Sequence, residues 1–156
     1  HCVTRRQRQM CIRDRNLTEW FTGCCVLIKT DVFKDIGYFD ERFFAYYEDV
    51  DFSIRLKKMG YSIGLMTDSH LQHYESASSK SINKSEGNLS PYVHYLNIRN
   101  HIFLLKKHSK SFNTIGVLLY QLIKILSYLI YFLIRFRFNK FKMVLNGCID
   151  AINFKK

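Results

Sequence analysis

Glu48, Asp49 and Asp51 place three carboxylates within four positions, directly behind Phe43-Phe44-Ala45-Tyr46-Tyr47, a stretch in which four of five residues are aromatic. Acids seldom sit against so apolar a wall unless they cap a helix, bind a cation or handle a proton. The cluster reads as a catalytic site in which one carboxylate takes a proton. An acid-rich helix start is the alternative that spacing alone leaves open, because the free N–H groups and dipole of a first turn favour negative charge by roughly 0.3–1 kcal/mol per residue.

The elements that position these acids follow from local pattern. Glu48 to Lys58 are good helix formers and Gly60 supplies a stop. Phe52, Leu56 and Met59 fall on one face, while Asp51 and Arg55 form an i, i+4 pair on another. Upstream, Cys24-Cys25-Val26-Leu27-Ile28 is an apolar run of strand length between Gly23 and Lys29, which predicts a buried strand. Thr30 is placed to cap a short helix through Asp35 that Gly37 ends. Residues 61–66 read as a second strand, continued by 68–73 into a loop. Strand, helix, helix, strand is the order of an α/β fold. Residues 76–90 are polar, serine-rich and aperiodic, which marks either a loop able to close over substrate or a plain surface loop.

Charge divides the chain. The net charge of +11 lies almost wholly at the ends: residues 1–15 hold five arginines and one acid, 16–90 hold eight basic and eleven acidic residues, and 91–156 hold eleven basic and one acidic. An acidic centre joined to a basic, apolar tail suits delivery to an anionic surface, membrane lipid or nucleic acid. Residues 1–15 have no period and resemble translated sequencing-adaptor sequence, with a disordered basic arm as the alternative. Cys2, Cys11, Cys24, Cys25 and Cys148 show neither a CxxC nor a zinc spacing. The adjacent pair reads as small buried residues, and a reducing compartment fits.

In the tail, Ser90-Pro91 is a helix start signal, and the helix should run to about Lys107. Asn97, Arg99, Asn100 and His101 give it a polar side opposite Tyr95, Ile98, Ile102 and Leu105. After a break at 109–113, residues 115–138 are strongly apolar. Their polar members, Gln121, Lys124, Ser127/Tyr128, Tyr131 and Arg135, form one stripe. Such a stripe beside a wide apolar face favours a helix lying in the membrane interface over a true span or a buried bundle helix. Arg135, Arg137, Lys140 and Lys142 would hold that end on the anionic, cytoplasmic side.

The segments 20–29 (Trp-Phe-Thr-Gly-Cys-Cys-Val-Leu-Ile-Lys) and 36–52 (Ile-Gly-Tyr-Phe-Asp-Glu-Arg-Phe-Phe-Ala-Tyr-Tyr-Glu-Asp-Val-Asp-Phe), with Arg55, Gly60-Tyr61 and His73, resemble the acceptor-side half of family 2 glycosyltransferases. The likeness is to the bacterial rhamnosyltransferase-like members especially, and covers roughly residues 18–110. It implies a GT-A fold, a Rossmann-like α/β sheet, and inverting transfer of a sugar from a nucleotide diphosphate to a hydroxyl. The family's motif puts the general base on Asp49, with Glu48 positioning the acceptor or the base and Asp51 and Arg55 supporting them. Trp20, Thr22 and Gly23 match the acceptor-pocket segment, and His73 matches a metal-ligating histidine, with His70 as a near competitor. The donor-binding half and its Asp-x-Asp are absent, and Asp49-Val50-Asp51 occupies the base position instead.

The resemblance thus implies a C-terminal fragment in three parts: 1–15 non-native or disordered, 16–90 the acceptor and catalytic half of a partial GT-A domain, and 91–156 a helical membrane-associating region. By itself the fragment should show little or no transfer. The implied cofactor is a divalent cation, Mg2+ or Mn2+, held mostly by the missing half. The implied partners are a nucleotide-sugar donor, a glycan or lipid-linked acceptor in bacterial cell-surface polysaccharide synthesis, and the anionic cytoplasmic face of the inner membrane, with no nucleic acid. A non-catalytic membrane scaffold would explain the tail but leave the acids idle. A nucleic-acid-binding protein would explain the charge but lacks interleaved exposed aromatics and any RNP, KH or zinc pattern.

Overall fold

A computed structural model describes residues 16–66 and 87–153. His70, His73, residues 1–15 and most of the serine-rich stretch lie outside the described residues. The chain forms two compact units: of the described residues, 16–41 and 48–66 belong to the first, and 42–47 and 87–153 to the second. The architecture is mixed and mostly helical with one small sheet among the described residues, which is compatible with the partial glycosyltransferase domain that the resemblance implies.

In the first unit, β1 (Asn16–Thr18) pairs antiparallel with β2 (Ile63–Leu65), Leu17 facing Gly64. β2 sits inside the expected 61–66 strand. The strand expected at Cys24–Ile28 does not form: this run is irregular, Leu27 is 94% exposed, and Cys24 and Cys25 are exposed free thiols. An apolar run becomes a buried strand only where neighbouring strands complete its hydrogen bonds and a second layer covers it. Among the described residues neither is present for this segment. Ile28 alone of the run packs inward, against the core of Val32, Phe52 and Leu56.

Helix α1 (Thr30–Ile36) begins one residue earlier than expected, so Lys29 rather than Thr30 takes the cap position, without a side-chain bond. Gly37, at φ 76°, ends the helix and donates its N–H to Phe33 O. Helix α2 (Glu48–Lys58) ends as expected at Gly60, whose φ of 82° allows a Schellman closure: Tyr61 N–H donates to Leu56 O at 3.1 Å and Gly60 N–H to Lys57 O at 3.0 Å. Phe52 and Leu56 are buried, but Met59 is not. Lying past the last helical residue, in the closing turn, Met59 leaves the face that helical spacing assigned to it.

The second unit holds α3 (Pro91–Lys107), a 3-10 turn (Ser109–Ser111), α4 (Thr114–Ile134) and α5 (Phe138–Asn153). Ser90 Oγ accepts from Val93 N–H and caps α3, which has the expected bounds. Asn113 Oδ1 accepts from Gly116 N–H at 3.1 Å and caps α4. α3 packs along α5 so closely that a Cβ on Gly147 would lie 2.8 Å from Tyr95 O. Ile98, Phe132 and Val144 form the centre of this unit's core.

Several polar groups of the tail are turned the opposite way from the sequence expectation. Asn100, assigned to a polar side of α3, is fully buried. The upper part of the α4 stripe faces α3, where Gln121 Nε2 and Lys124 Nζ lie 2.8 and 3.0 Å from His101 Nδ1. Burial, with Lys124 adding to it, pushes His101 down to about 4, so at neutral pH its ring is uncharged and Nδ1 can accept. The apolar side of α4 is left outermost. Lys140, expected at an anionic surface, is also buried, its Nζ 5.8 Å from the Phe132 ring centre.

Candidate active site

The site is built on the first turn of α2, where Glu48, Asp49 and Asp51 all fall in helix. Two long-range bonds bring the upstream motif to this turn. Gly23 N–H donates to Asp49 Oδ2 at 3.0 Å. Phe21 N–H donates to Ser53 Oγ at 3.3 Å, and Ser53 Oγ donates in turn to Asp49 O at 2.7 Å. The segment 20–23 is therefore laid across the start of α2 by its own backbone. Ser53 is buried and was missed from the sequence, because a mid-helix serine looks like any other short polar residue until its partner is known.

Asp49 is half-buried, and its Oδ1 also accepts from Val50 N–H at 2.8 Å. Each carboxylate oxygen offers about two lone pairs, so these two bonds orient the group without exhausting it. A Cβ added at Gly23 would lie 3.9 Å from Asp49 Cβ and Oδ2, an ordinary contact. Packing alone does not require glycine there, but any side chain would begin to cover the carboxylate. Trp20 is half-exposed and outside the core cluster. Thr22 is exposed, its Oγ1 3.1 Å from Cys24 Sγ.

Glu48 differs from its neighbour. Its Oε2 is buried with no hydrogen-bond partner. Burial raises its pKa above the ordinary 4.5, its own backbone N–H takes back part of that rise, and the charge of Asp49 adds a smaller increase. Because the folded chain holds this proton more tightly than the unfolded chain, the stability tied to Glu48 is present at acid pH and lost as pH rises through the folded-state value. Glu48→Gln should therefore melt at higher temperature than the parent at pH 7, and the gap should close below about pH 4.5. Melting curves at both pH values check this, and equal melting temperatures at pH 7 contradict it.

Asp51 and Arg55 form the expected pair, with Arg55 Nε donating to Asp51 Oδ2 at 2.9 Å. Asp51 is fully buried, and Arg55 uses its remaining nitrogens to hold the chain beyond α1: Nη1 donates to Ile36 O at 2.6 Å and Nη2 to Tyr38 O at 2.8 Å. The pair is a brace that fixes α2 against the end of α1. Removing one partner of a buried pair strands the other, so Asp51→Ala should cost about 3–5 kcal/mol in urea unfolding. Arg55→Lys should recover little of an Arg55→Ala loss, since an ammonium cannot reproduce the three-way fork.

Among the described residues, no group of three or more His, Cys, Asp or Glu side chains could hold a metal ion. The described residues therefore offer no complete ligand set for the divalent cation that the resemblance implies, and His73 lies outside them.

Ahead of Glu48, the aromatic stretch adopts a strained backbone: Phe44, Tyr46 and Tyr47 have φ of 62°, 70° and 72°. Within the second unit, Asn100 Nδ2 lies 2.8, 2.7 and 2.9 Å from the carbonyl oxygens of Phe43, Ala45 and Tyr46. Arg99 Nη2 adds bonds to Arg42 O and Phe43 O at 3.2 and 3.1 Å. Tyr47 stacks on His101, ring centres 5.1 Å apart. Left-handed conformers of bulky residues persist only where surroundings over-determine them. Here the Asn100 amide does so.

Comparison with known proteins gives a consistent result. Residues 3–146 match the model for glycosyl transferase family group 2. The chain is 37% identical over 60 residues to the N-acetylglucosaminyl-diphospho-decaprenol L-rhamnosyltransferase of Mycobacterium tuberculosis, covering 38% of this chain and 20% of that one. It is 36% identical over 69 residues to the O-antigen biosynthesis protein RfbC of Myxococcus xanthus, covering 40% and 5%. It is 43% identical over 42 residues to the low-salt glycan biosynthesis hexosyltransferase Agl10 of Haloferax volcanii, covering 27% and 14%. The chain thus spans a fifth or less of the length of these curated relatives. No solved structure gives a significant match. With nearly its whole length inside one family model, the chain belongs to glycosyl transferase family group 2.

Proposed function

We propose that these residues form the acceptor side of an inverting glycosyltransferase, working within a longer enzyme that supplies the nucleotide-binding half of a GT-A fold. The observation that carries this reading is the bond from Gly23 N–H to the Asp49 carboxylate, which joins the two motif segments at one place. The Asp49 carboxylate takes the proton of an acceptor hydroxyl while that hydroxyl's oxygen attacks the anomeric carbon, and the nucleoside diphosphate leaves from the opposite face. That geometry inverts the anomeric centre. Glu48 positions acceptor or base, and Asp51 with Arg55 keeps the helix start in register. Trp20 offers a half-exposed ring for a sugar face, Thr22 a hydroxyl, and Gly23 leaves the carboxylate open. The divalent cation at the diphosphate, with His73 as one ligand, would be held by residues other than the described ones.

Relatives named for rhamnosyl transfer to a decaprenol-linked sugar, for O-antigen synthesis and for hexosyl transfer support a sugar transferase acting on a glycan or lipid-linked acceptor in cell-surface polysaccharide synthesis. The outermost apolar side of α4 and the basic tail support work at the cytoplasmic face of a bacterial inner membrane.

The test joins the chain to a nucleotide-binding half of the same family and follows acceptor-dependent release of nucleoside diphosphate from a panel of nucleotide sugars. Release with an inverted product anomer, and little release by residues 16–156 alone, is expected. Retention of configuration, or steady turnover by residues 16–156 alone, overturns the proposal.

A further inference from the structure

A cavity of about 350 Å³ lies in the second unit where α3 meets α5, a volume within the range of small-molecule sites. α3 supplies Tyr92 and Tyr95. α5 supplies Asn146 together with Met143 at i−3, Ile149 at i+3 and Asp150 at i+4, all on one face. Gly147 makes the meeting possible, since a Cβ there would lie 2.8 Å from Tyr95 O. Neither the catalytic reading nor the outer side of α4 uses this cavity.

The two tyrosines form a platform. Their rings are stacked, centres 5.5 Å apart and 18° from parallel, and the Arg99 guanidinium lies 5.4 Å from the Tyr95 ring centre. Arg99 is itself committed to Asn100 Oδ1 and to the carbonyls of Arg42 and Phe43, which anchors the stack. The Tyr95 hydroxyl donates to Asp150 Oδ2 at 2.7 Å and ties the platform to α5. Tyr92 remains 49% exposed, and Tyr95 is its only ring contact among the described residues. Its ring is thus held flat at a cavity wall without serving the core.

The polar groups beside it are unspent. Asp150 is exposed, and its Oδ1 accepts from no described group; the half-buried Asn146 amide has no partner among the described residues. One helical turn, about 5–6 Å, separates an open carboxylate acceptor from an open amide donor. Hydroxyls on neighbouring carbons of a sugar both donate and accept, and the C–H face of the sugar ring suits an aromatic ring. A nucleotide is a poorer match, because its phosphate would meet Asp150 and no cation among the described lining residues. An organic cation is poorer too: it favours ring faces turned toward it, and here one tyrosine covers the other.

We infer that this cavity is a saccharide-binding site, in which a neutral sugar unit lies with its C–H face on Tyr92 and shares hydroxyls with Asp150 Oδ1 and the Asn146 amide. The inference rests on the sugar-handling part of the proposed function. It extends that reading to a unit of the glycan other than the one whose hydroxyl Asp49 would deprotonate.

The experiment titrates the isotope-labelled full chain with chitotetraose, maltotetraose and methyl α-L-rhamnoside in turn, and follows the Tyr92 ring and the Asn146 side-chain amide by NMR. At least one saccharide is expected to shift both groups saturably. Tyr92→Ala should weaken that binding by about tenfold or more, read at Asn146, while Tyr92→Phe keeps it. Asp150→Asn, which retains an oxygen for the Tyr95 hydroxyl, should weaken it by about three- to tenfold, so the result does not hang on one variant. Asp49→Asn should leave the shifts unchanged, which reads a failed base and a failed cavity separately. Shifts from none of the three saccharides overturn the site, as does binding indifferent to both Tyr92→Ala and Asp150→Asn. Equal shifts from uridine monophosphate or choline at the same concentration overturn the saccharide class.

Discussion

Asp49→Asn, introduced into the chain joined to its nucleotide-binding half, should lower sugar transfer by about 100-fold or more while the protein stays folded. The asparagine side chain keeps one oxygen for Gly23 N–H, so the tie between residues 20–23 and α2 survives at a cost of about 1 kcal/mol. The neutral amide cannot take a proton. The competing role, an acid that only favours the first turn, is worth roughly 0.3–1 kcal/mol and predicts a small fall in melting temperature with turnover intact. Turnover and thermal melting measured on the same preparation separate the two. Unchanged turnover would remove Asp49 from the chemistry.

Asn100→Leu should be among the most destabilising single changes in the second unit. It removes the donor shared by three carbonyls; Phe43 O keeps its bonds from Arg99 and Ala45 N–H, but the part-buried Ala45 O and Tyr46 O lose theirs, at about 1–3 kcal/mol each. It also releases the restraint on Phe44, Tyr46 and Tyr47, whose left-handed conformations each cost about 1–3 kcal/mol to hold. Relaxation of that strain offsets part of the lost bonding, so the net loss should be about 3 kcal/mol. Asn100→Asp should be no better, since a carboxylate offers the carbonyls no donor and adds a buried charge. Urea unfolding measures the loss, and hydrogen exchange at residues 42–47 should rise well beyond that of α3. A variant with parental stability and unchanged exchange in 42–47 would show that the loop holds itself.

How much was legible depended on the range of each signal. The bounds of α3 follow from Ser90-Pro91, and the end of α2 from Gly60, because caps and left-handed glycines act within a few residues. The Asp51–Arg55 pair follows from helical spacing in the same way. The apolar run at 24–28 misled because burial depends on what covers a segment, and hydrophobicity alone does not say whether a cover exists. Helix α5 went unread behind its basic residues, although Phe141, Val144, Cys148 and Ala151 recur at helical spacing.

By its own order of residues the chain determined where α2 stops and where α3 starts, which acids share a first turn, and which family those acids belong to. Only the tertiary structure decided that Gly23 reaches Asp49 across 26 positions, Phe21 reaches Ser53 across 32, and Asn100 reaches Phe43 across 57. It also decided that α4 turns Gln121 and Lys124 toward α3 and leaves most of its apolar side outward. The reason is physical: helical propensity and capping are settled among neighbours, whereas a hydrogen bond over tens of residues leaves no period in the sequence. The direction in which a helix rotates is set by what packs against it.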